Sequence, residues 1–529
     1  KEELMKKALV FLLAVLMLAV PVFAQGTSES NSSSDSSKAD KLTYWAPLNP
    51  NISAVAQDFS QTEYWKEVMK RTNTDIEFQH VSAANDGVLS EGFNILIASG
   101  DYPDIIEYKW TAYPGGPQAA IDDGVIIPLN DIFEKYCPNI TAFLESHPDI
   151  KKMISTDDGT YYVFPFLRGE SYENNNLIFS EGWVWRTDLL EKAGIDYIPS
   201  TPDELYTALV ALKNIGVEIP LCIRKDHISR VLAPGFDSWD DFYVEDGVVK
   251  YGRIEENRRE YLAFANKLYS EGLLDNDYLS VDKKSLGVKV LNNLVAGCYA
   301  PGASGIGTWL PALQKEDPSV KMVSARPISP EKDRYSKFAK MNSIYDASGT
   351  SAAISTSCKN IEAAARLLDY NFSEEGHLLA NFGIEGVTYE MVDGYPTYTD
   401  VIMNNPDLPL SQAMCLYTRA SVSGPFVQDP RYLEQYYDLP ELQDAINLWK
   451  QTDYGKYIMP TVTHTSEEAS EIAKIINNVN TYAEEMEAKF ITAALPISEL
   501  DNYVKQIKAF GIERAIEIKQ AAYDRYMSK

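Results

Sequence analysis

Phe93-Asn94-Ile95-Leu96-Ile97-Ala98-Ser99-Gly100-Asp101-Tyr102-Pro103-Asp104-Ile105-Ile106 is the stretch whose reading decides the fold. Residues 93–98 form an apolar helical patch that stops at Gly100. Pro103 then opens a second apolar run, which reads as a buried strand. Outward from this pair the same grammar repeats. Upstream, 42–45 is a β-rich run, 63–71 an amphipathic helix and 75–79 an alternating strand. Downstream, 183–185 reads as a strand and 188–193 as a helix closed by Gly194. Thr201 caps a further helix, with Pro202 in its first turn and Glu204 completing a capping box. Residues 358–370 put Ile361, Ala364, Ala365 and Leu368 on one helical face, and 500–526 is amphipathic helix. Strands separated by helices of about ten residues imply βαβ units and a largely parallel sheet.

A chain of 529 residues exceeds one compact core, so more than one is expected. Its 48 Lys and Arg face 76 Asp and Glu, a net charge of −28. Such a surface repels phosphate backbones, and no nucleic-acid partner is expected. The 33 Tyr and 8 Trp outnumber the 19 Phe, an excess that favours wet, amphipathic contact surfaces.

Lys6 and Lys7 precede an apolar run over 8–20 and a small-residue site ending at Ala24, so 1–24 reads as a signal peptide. Residues 25–40 read as a flexible Ser-rich leader. No cysteine precedes Cys137, so export into a periplasm without a lipid anchor is expected. The five cysteines are dispersed and read as buried thiols. The five histidines lack metal-ligand spacing. Asp157-Asp158-Gly159 and Asp275-Asn276-Asp277 lack the twelve-residue calcium-loop pattern. No metal, other cofactor or catalytic residue is expected. Gly302-Ala303-Ser304-Gly305 has the wrong spacing for a nucleophile elbow.

Several motifs in order carry a resemblance: Thr43-Tyr44-Trp45 with Tyr64-Trp65-Lys66-Glu67-Val68, and the ASGD-x-PD run Ala98-Ser99-Gly100-Asp101-Tyr102-Pro103-Asp104. Asp158-Gly159-Thr160-Tyr161-Tyr162, Trp185-Arg186-Thr187-Asp188-Leu189-Leu190 and Phe382-Gly383-Ile384-Glu385-Gly386 follow. Together they resemble family 1 of the large extracytoplasmic solute-binding proteins of ABC importers, carbohydrate type. The resemblance implies an α/β, two-lobed periplasmic-binding-protein fold of type II. Each lobe would be a mostly parallel sheet flanked by helices, with a hinge between. The implied boundaries are 41–170 and 349–395 for the first lobe, and 171–348 and 396–529 for the second. The chain would cross near 165–177 and again near 348–351.

The implied function is capture of an oligosaccharide between the lobes and delivery to ABC permease subunits, by a monomer that is not an enzyme. Aromatic faces cover sugar C–H surfaces and polar side chains bind the hydroxyls. The expected ligand-binding residues are Trp45, Asp101, Trp110, Trp239, Trp309 and Tyr389, with core packing the alternative for each aromatic. Arg168, Arg186 and Arg224 could serve an anionic uronate. The competing readings are the same scaffold binding a peptide or another solute, and an exported polysaccharide-degrading enzyme.

Overall fold

The computed structural model describes residues 39–83, 86–345 and 349–529. The signal peptide expected over 1–24, and the leader up to residue 38, lie outside them. Leu42-Thr43-Tyr44-Trp45 extends into strand β1 (Asp40–Leu48), which pairs in parallel with β2 (Thr74–Ser82) and β3 (Ile105–Tyr108). Between β1 and β2 runs the helix Glu63–Thr72, with Tyr64, Trp65 and Val68 buried. Between β2 and β3 runs the helix Asp86–Ser99. All four residues of β3 are buried, as its apolar run requires.

The second sheet is built from β4 (Glu181–Arg186) and β5 (Ile219–Cys222), followed after the hairpin β6 (Phe242–Glu245) and β7 (Val248–Tyr251) by β8 (Val295–Pro301) and β9 (Met322–Ala325). Its order is β5-β8-β4-β9. Only β5 and β8 run parallel; β4 is antiparallel to both β8 and β9. The mostly parallel sheet expected for this lobe is therefore mixed, because the chain enters β4 at Glu181 beside Pro301, where β8 ends. Strand β10 (Ser351–Ile354) returns to the first sheet, antiparallel to β3, giving the order β10-β3-β1-β2. A further hairpin joins β11 (Tyr389–Val392) to β12 (Tyr395–Tyr398).

Three segments run side by side between the two sheets. Leu167 donates its N–H to the Phe426 carbonyl at 3.0 Å and accepts from Gln428 N–H at 2.8 Å, while Arg168 N–H reaches the Ile344 carbonyl at 2.9 Å. Past them the helix Leu410–Tyr417 rests on the first-lobe helices Pro50–Ser53 and Glu63–Thr72, whereas Pro440–Trp449 rests on β9 and β4. Residues 410–417 thus pack on elements of the first sheet's side and 440–449 on the second sheet.

Two local features differ from what their sequences imply. Thr201 Oγ1 accepts from Glu204 N–H at 3.3 Å, but the Glu204 carboxylate turns back to Ser200, accepting from its N–H at 3.0 Å. The helix expected over 500–526 is divided into Leu500–Ala509 and Ile512–Ser528 by Gly511, whose φ of +97° ends the first helix. All five cysteines are free and buried. Burial pushes the thiols of Cys298 and Cys358 up to about 12.

Candidate functional site

A cavity of about 180 Å³ lies between the sheets. Its lining includes Asn51, just past β1, and Ser180, just before β4. The floor is aromatic. Tyr432 and Tyr436 project from the helix Pro430–Tyr436, and Tyr437 follows it. Asp429 caps that helix: it accepts from Arg431 N–H at 2.9 Å and pairs with His377 Nε2 at 3.0 Å. Burial opposes the Asp429 charge, yet hydrogen bonds from His377 and Arg431 hold its carboxyl well below the usual range. Tyr437 lies against Gly302, where an added Cβ would stand 2.4 Å from its hydroxyl. Burial pushes that phenol up to about 12, so it stays a neutral hydrogen-bonding group. Arg168, Phe179, Ser411 and Ser421 also line the cavity. No carboxylate is among its lining residues.

Beyond Ser180 the polar character changes. Glu181 is held by Lys340 Nζ at 3.1 Å and Arg224 Nη2 at 3.5 Å, with the neutral His227 ring beside it, Nδ1 3.3 Å away. Arg224 also donates to His227 Nε2. This cluster stands at the carboxyl end of β5, where open α/β sheets receive ligands. It borders a second cavity of about 850 Å³ that reaches to the helix Ser466–Ile491.

The six residues expected from the sequence lie elsewhere or inward. Trp45 is mid-strand rather than at the end of β1, which continues to Leu48, and its ring packs on Phe93 and Tyr108. Trp110 follows β3 as expected but is fully buried, against Phe93 and Tyr113. Trp239 stacks on Phe338 at 5.3 Å, beneath the Arg230 guanidinium, behind the second cavity. Trp309 lies in the first turn of the helix Gly307–Glu316 and is 4% exposed. Tyr389 lines a separate groove with Arg71 and Glu385. Asp101 is exposed in a helix-to-strand turn, at the amino edge of β3. The structure brings Trp45 and Trp110 together through Phe93 and keeps the others apart. The five aromatic rings are 0–6% exposed, and of them Tyr389 borders a groove.

The acidic turns are satisfied by the protein itself. Asp157 accepts from Arg525 and from Thr463 Oγ1 at 2.8 Å; Asp275 pairs with Lys289 at 2.6 Å. Among the described residues no group of three or more His, Cys, Asp or Glu side chains could hold a metal ion.

Two α/β lobes joined by adjacent crossings, with a tyrosine-floored cavity between them, define a two-lobed solute-binding scaffold. The chain belongs to the bacterial extracellular solute-binding protein family, whose pattern it matches over residues 56–377. It is 24% identical over 516 residues to FusA, the fructooligosaccharide ABC transporter substrate-binding protein of Streptococcus pneumoniae, covering 92% of this chain and 90% of that one. Lipoprotein LipO of Bacillus subtilis is 25% identical over 427 residues, 77% of this chain and 78% of that one. The crystal structure of the alginate-binding protein AlgQ2 without calcium superposes with a TM-score of 0.71 at 26% identity, covering 92% and 98% of the two chains.

Proposed function

We propose that this protein is an exported receptor that captures an oligosaccharide between its lobes and delivers it to an ABC import permease. The observation that carries the reading is the floor of Tyr432, Tyr436 and Tyr437 facing Arg168, Asn51 and three serines in the interlobe cavity. Phenol rings cover the C–H faces of a sugar while the polar groups take its hydroxyls. The names of FusA and AlgQ2 support a saccharide ligand. Contacts made from both sheets at once favour a closed arrangement over an open one, and rotation would occur at the three crossing segments. Capture breaks no bond and requires no acid, base or nucleophile.

The sites proposed for ligand contact are these cavity-lining groups, in place of the buried tryptophans. We further place the protein outside the inner membrane, monomeric and free of a lipid anchor; metabolic labelling with a fatty acid tests the last point.

Thermal shift of the full chain against oligosaccharide and peptide panels tests the function. At a hundredfold excess over Kd a ligand adds about 2.7 kcal/mol of stability, enough to read. Stabilisation by peptides alone overturns the saccharide reading. Release of shorter sugars overturns the reading as a receptor without catalysis.

A further inference from the structure

The cavity beyond Glu181 differs in chemistry from the tyrosine-floored one. Its charges fall into two layers. Four cations line it with side chains more than half buried, Arg224, Arg230, Arg253 and Lys340, and Arg258 stands behind them on Glu487. Three carboxylates answer them: Glu181, Asp240 and Glu487. At the exposed rim stand Asp226, Asp241, Asp282 and Glu484 with Lys225 and Lys283, all open to solvent and screened by salt. In a chain of net charge −28 this buried layer is positive.

Its donors are also incompletely used. Arg224 Nε and Arg253 Nη1 are buried without a hydrogen-bond partner, although carboxylate oxygens of Asp226 and Glu487 stand 3.4 and 3.3 Å away. The Tyr278 hydroxyl is buried with none. Unmet donors in a site sheltered from water gain most from a charged acceptor. The surroundings of His227 agree: burial, then Lys340, Arg224 and Arg230, hold its imidazole neutral.

We propose that this cavity is a subsite for an acidic group, a carboxylate or a sulfate ester, carried by an oligosaccharide whose other rings lie on the tyrosine floor. Ser180 lines the first cavity, and the next residue, Glu181, is bound to Arg224 and Lys340 of the second, so the two cavities stand one residue apart, within the span of an extended ligand. This inference rests on the saccharide reading above.

Calorimetric titration of the full chain with three series tests it: uronate oligomers of two to five residues, their carboxyl-reduced counterparts, and sulfated forms of the reduced oligomers. At least one acidic series should bind about tenfold more tightly than the reduced series. That advantage should shrink as salt rises from about 0.02 to 0.5 M. It should disappear in the double variant Arg224→Gln, Lys340→Gln and survive in Arg224→Lys. Lys340→Gln alone keeps the test open should the double variant unfold, and should lose part of the advantage. Uronates favoured over sulfates assign a carboxylate, and the reverse assigns a sulfate. Equal affinity for acidic and reduced oligomers overturns the subsite while leaving the saccharide reading intact. An advantage that persists in the double variant places recognition at Arg168 and overturns it equally. Failure of every series to bind overturns both readings.

Discussion

Arg258 grips both carboxylate oxygens of Glu487, with Nε to Oε1 at 3.1 Å and Nη2 to Oε2 at 2.7 Å, across 229 residues of chain. Arg253 Nη1 approaches the same carboxylate at 3.3 Å, and the Tyr503 hydroxyl donates to it at 2.8 Å. Burial disfavours the Glu487 charge, but the two guanidinium groups and the hydroxyl outweigh it and hold the carboxyl below its ordinary range. The pair locks the helix Ser466–Ile491 onto Arg258–Ser270.

Glu487→Gln leaves Arg253 and Arg258 buried without their counter-charge. The expected loss is about 3–5 kcal/mol of unfolding free energy, read from a urea midpoint. A loss below about 1 kcal/mol shows that water reaches the site.

At Gly182 an added Cβ would stand 2.1 Å from the Trp449 indole, whose Nε1 donates to the Trp183 carbonyl at 3.3 Å. Gly182→Ala should cost about 1–3 kcal/mol, because both partners are walled in. Calorimetric melting checks this, and an unchanged midpoint disproves the packing.

Gly302→Ala makes a different prediction. The atom it meets is the outer end of Tyr437, which can swing into the interlobe cavity. Stability should change by no more than about 1 kcal/mol, while saccharide affinity falls several-fold. Retained affinity separates Tyr437 from the ligand.

Acid titration carries a sign. Burial, with nearby cations, holds His227 at about 2; for His464, burial followed by Lys519 and Arg525 gives about 4. The unfolded chain binds these protons from about pH 6.5 downward, and the folded chain does not. Stability is therefore intact above about 6.5 and declines as pH falls toward 4. Carboxylates held low, such as Glu487, contribute only below about 4.3, so the window between isolates the histidines. The double variant His227→Gln, His464→Gln should flatten the urea midpoint across that window; an unaltered slope assigns the decline to other groups.

Legibility followed locality. Gly100, Pro103, Thr201 and Gly194 act on their immediate neighbours, and the elements they punctuate were readable from sequence. The antiparallel setting of β4 was not, since it depends on Glu181 meeting Pro301, 120 positions later. The interlobe cavity was illegible for a related reason. Tryptophans attract attention as sugar platforms, but an indole offers so much apolar surface that Trp45, Trp110, Trp239 and Trp309 were drawn into the cores. Tyr432, Tyr436 and Tyr437 keep a polar edge and stayed at the boundary. Their spacing on a Pro-started helix was the available signal, hidden among 33 tyrosines. Nothing in the sequence gives Arg168 and Arg224 a place; only the fold puts them at the two cavities.

The closure of the first sheet by β10 has a consequence in time. Glu107 in β3 accepts from Thr350, 243 residues further on, at 2.7 Å, and Ala353 pairs with Ile106. At about 5–20 residues per second a ribosome needs roughly 12–50 s to supply that stretch. Until then β3 has one bare edge and Glu107 lacks its Thr350 and Arg419 partners. The amino-terminal half cannot reach its native state during its own synthesis, and the nascent chain stays open for the whole of that interval.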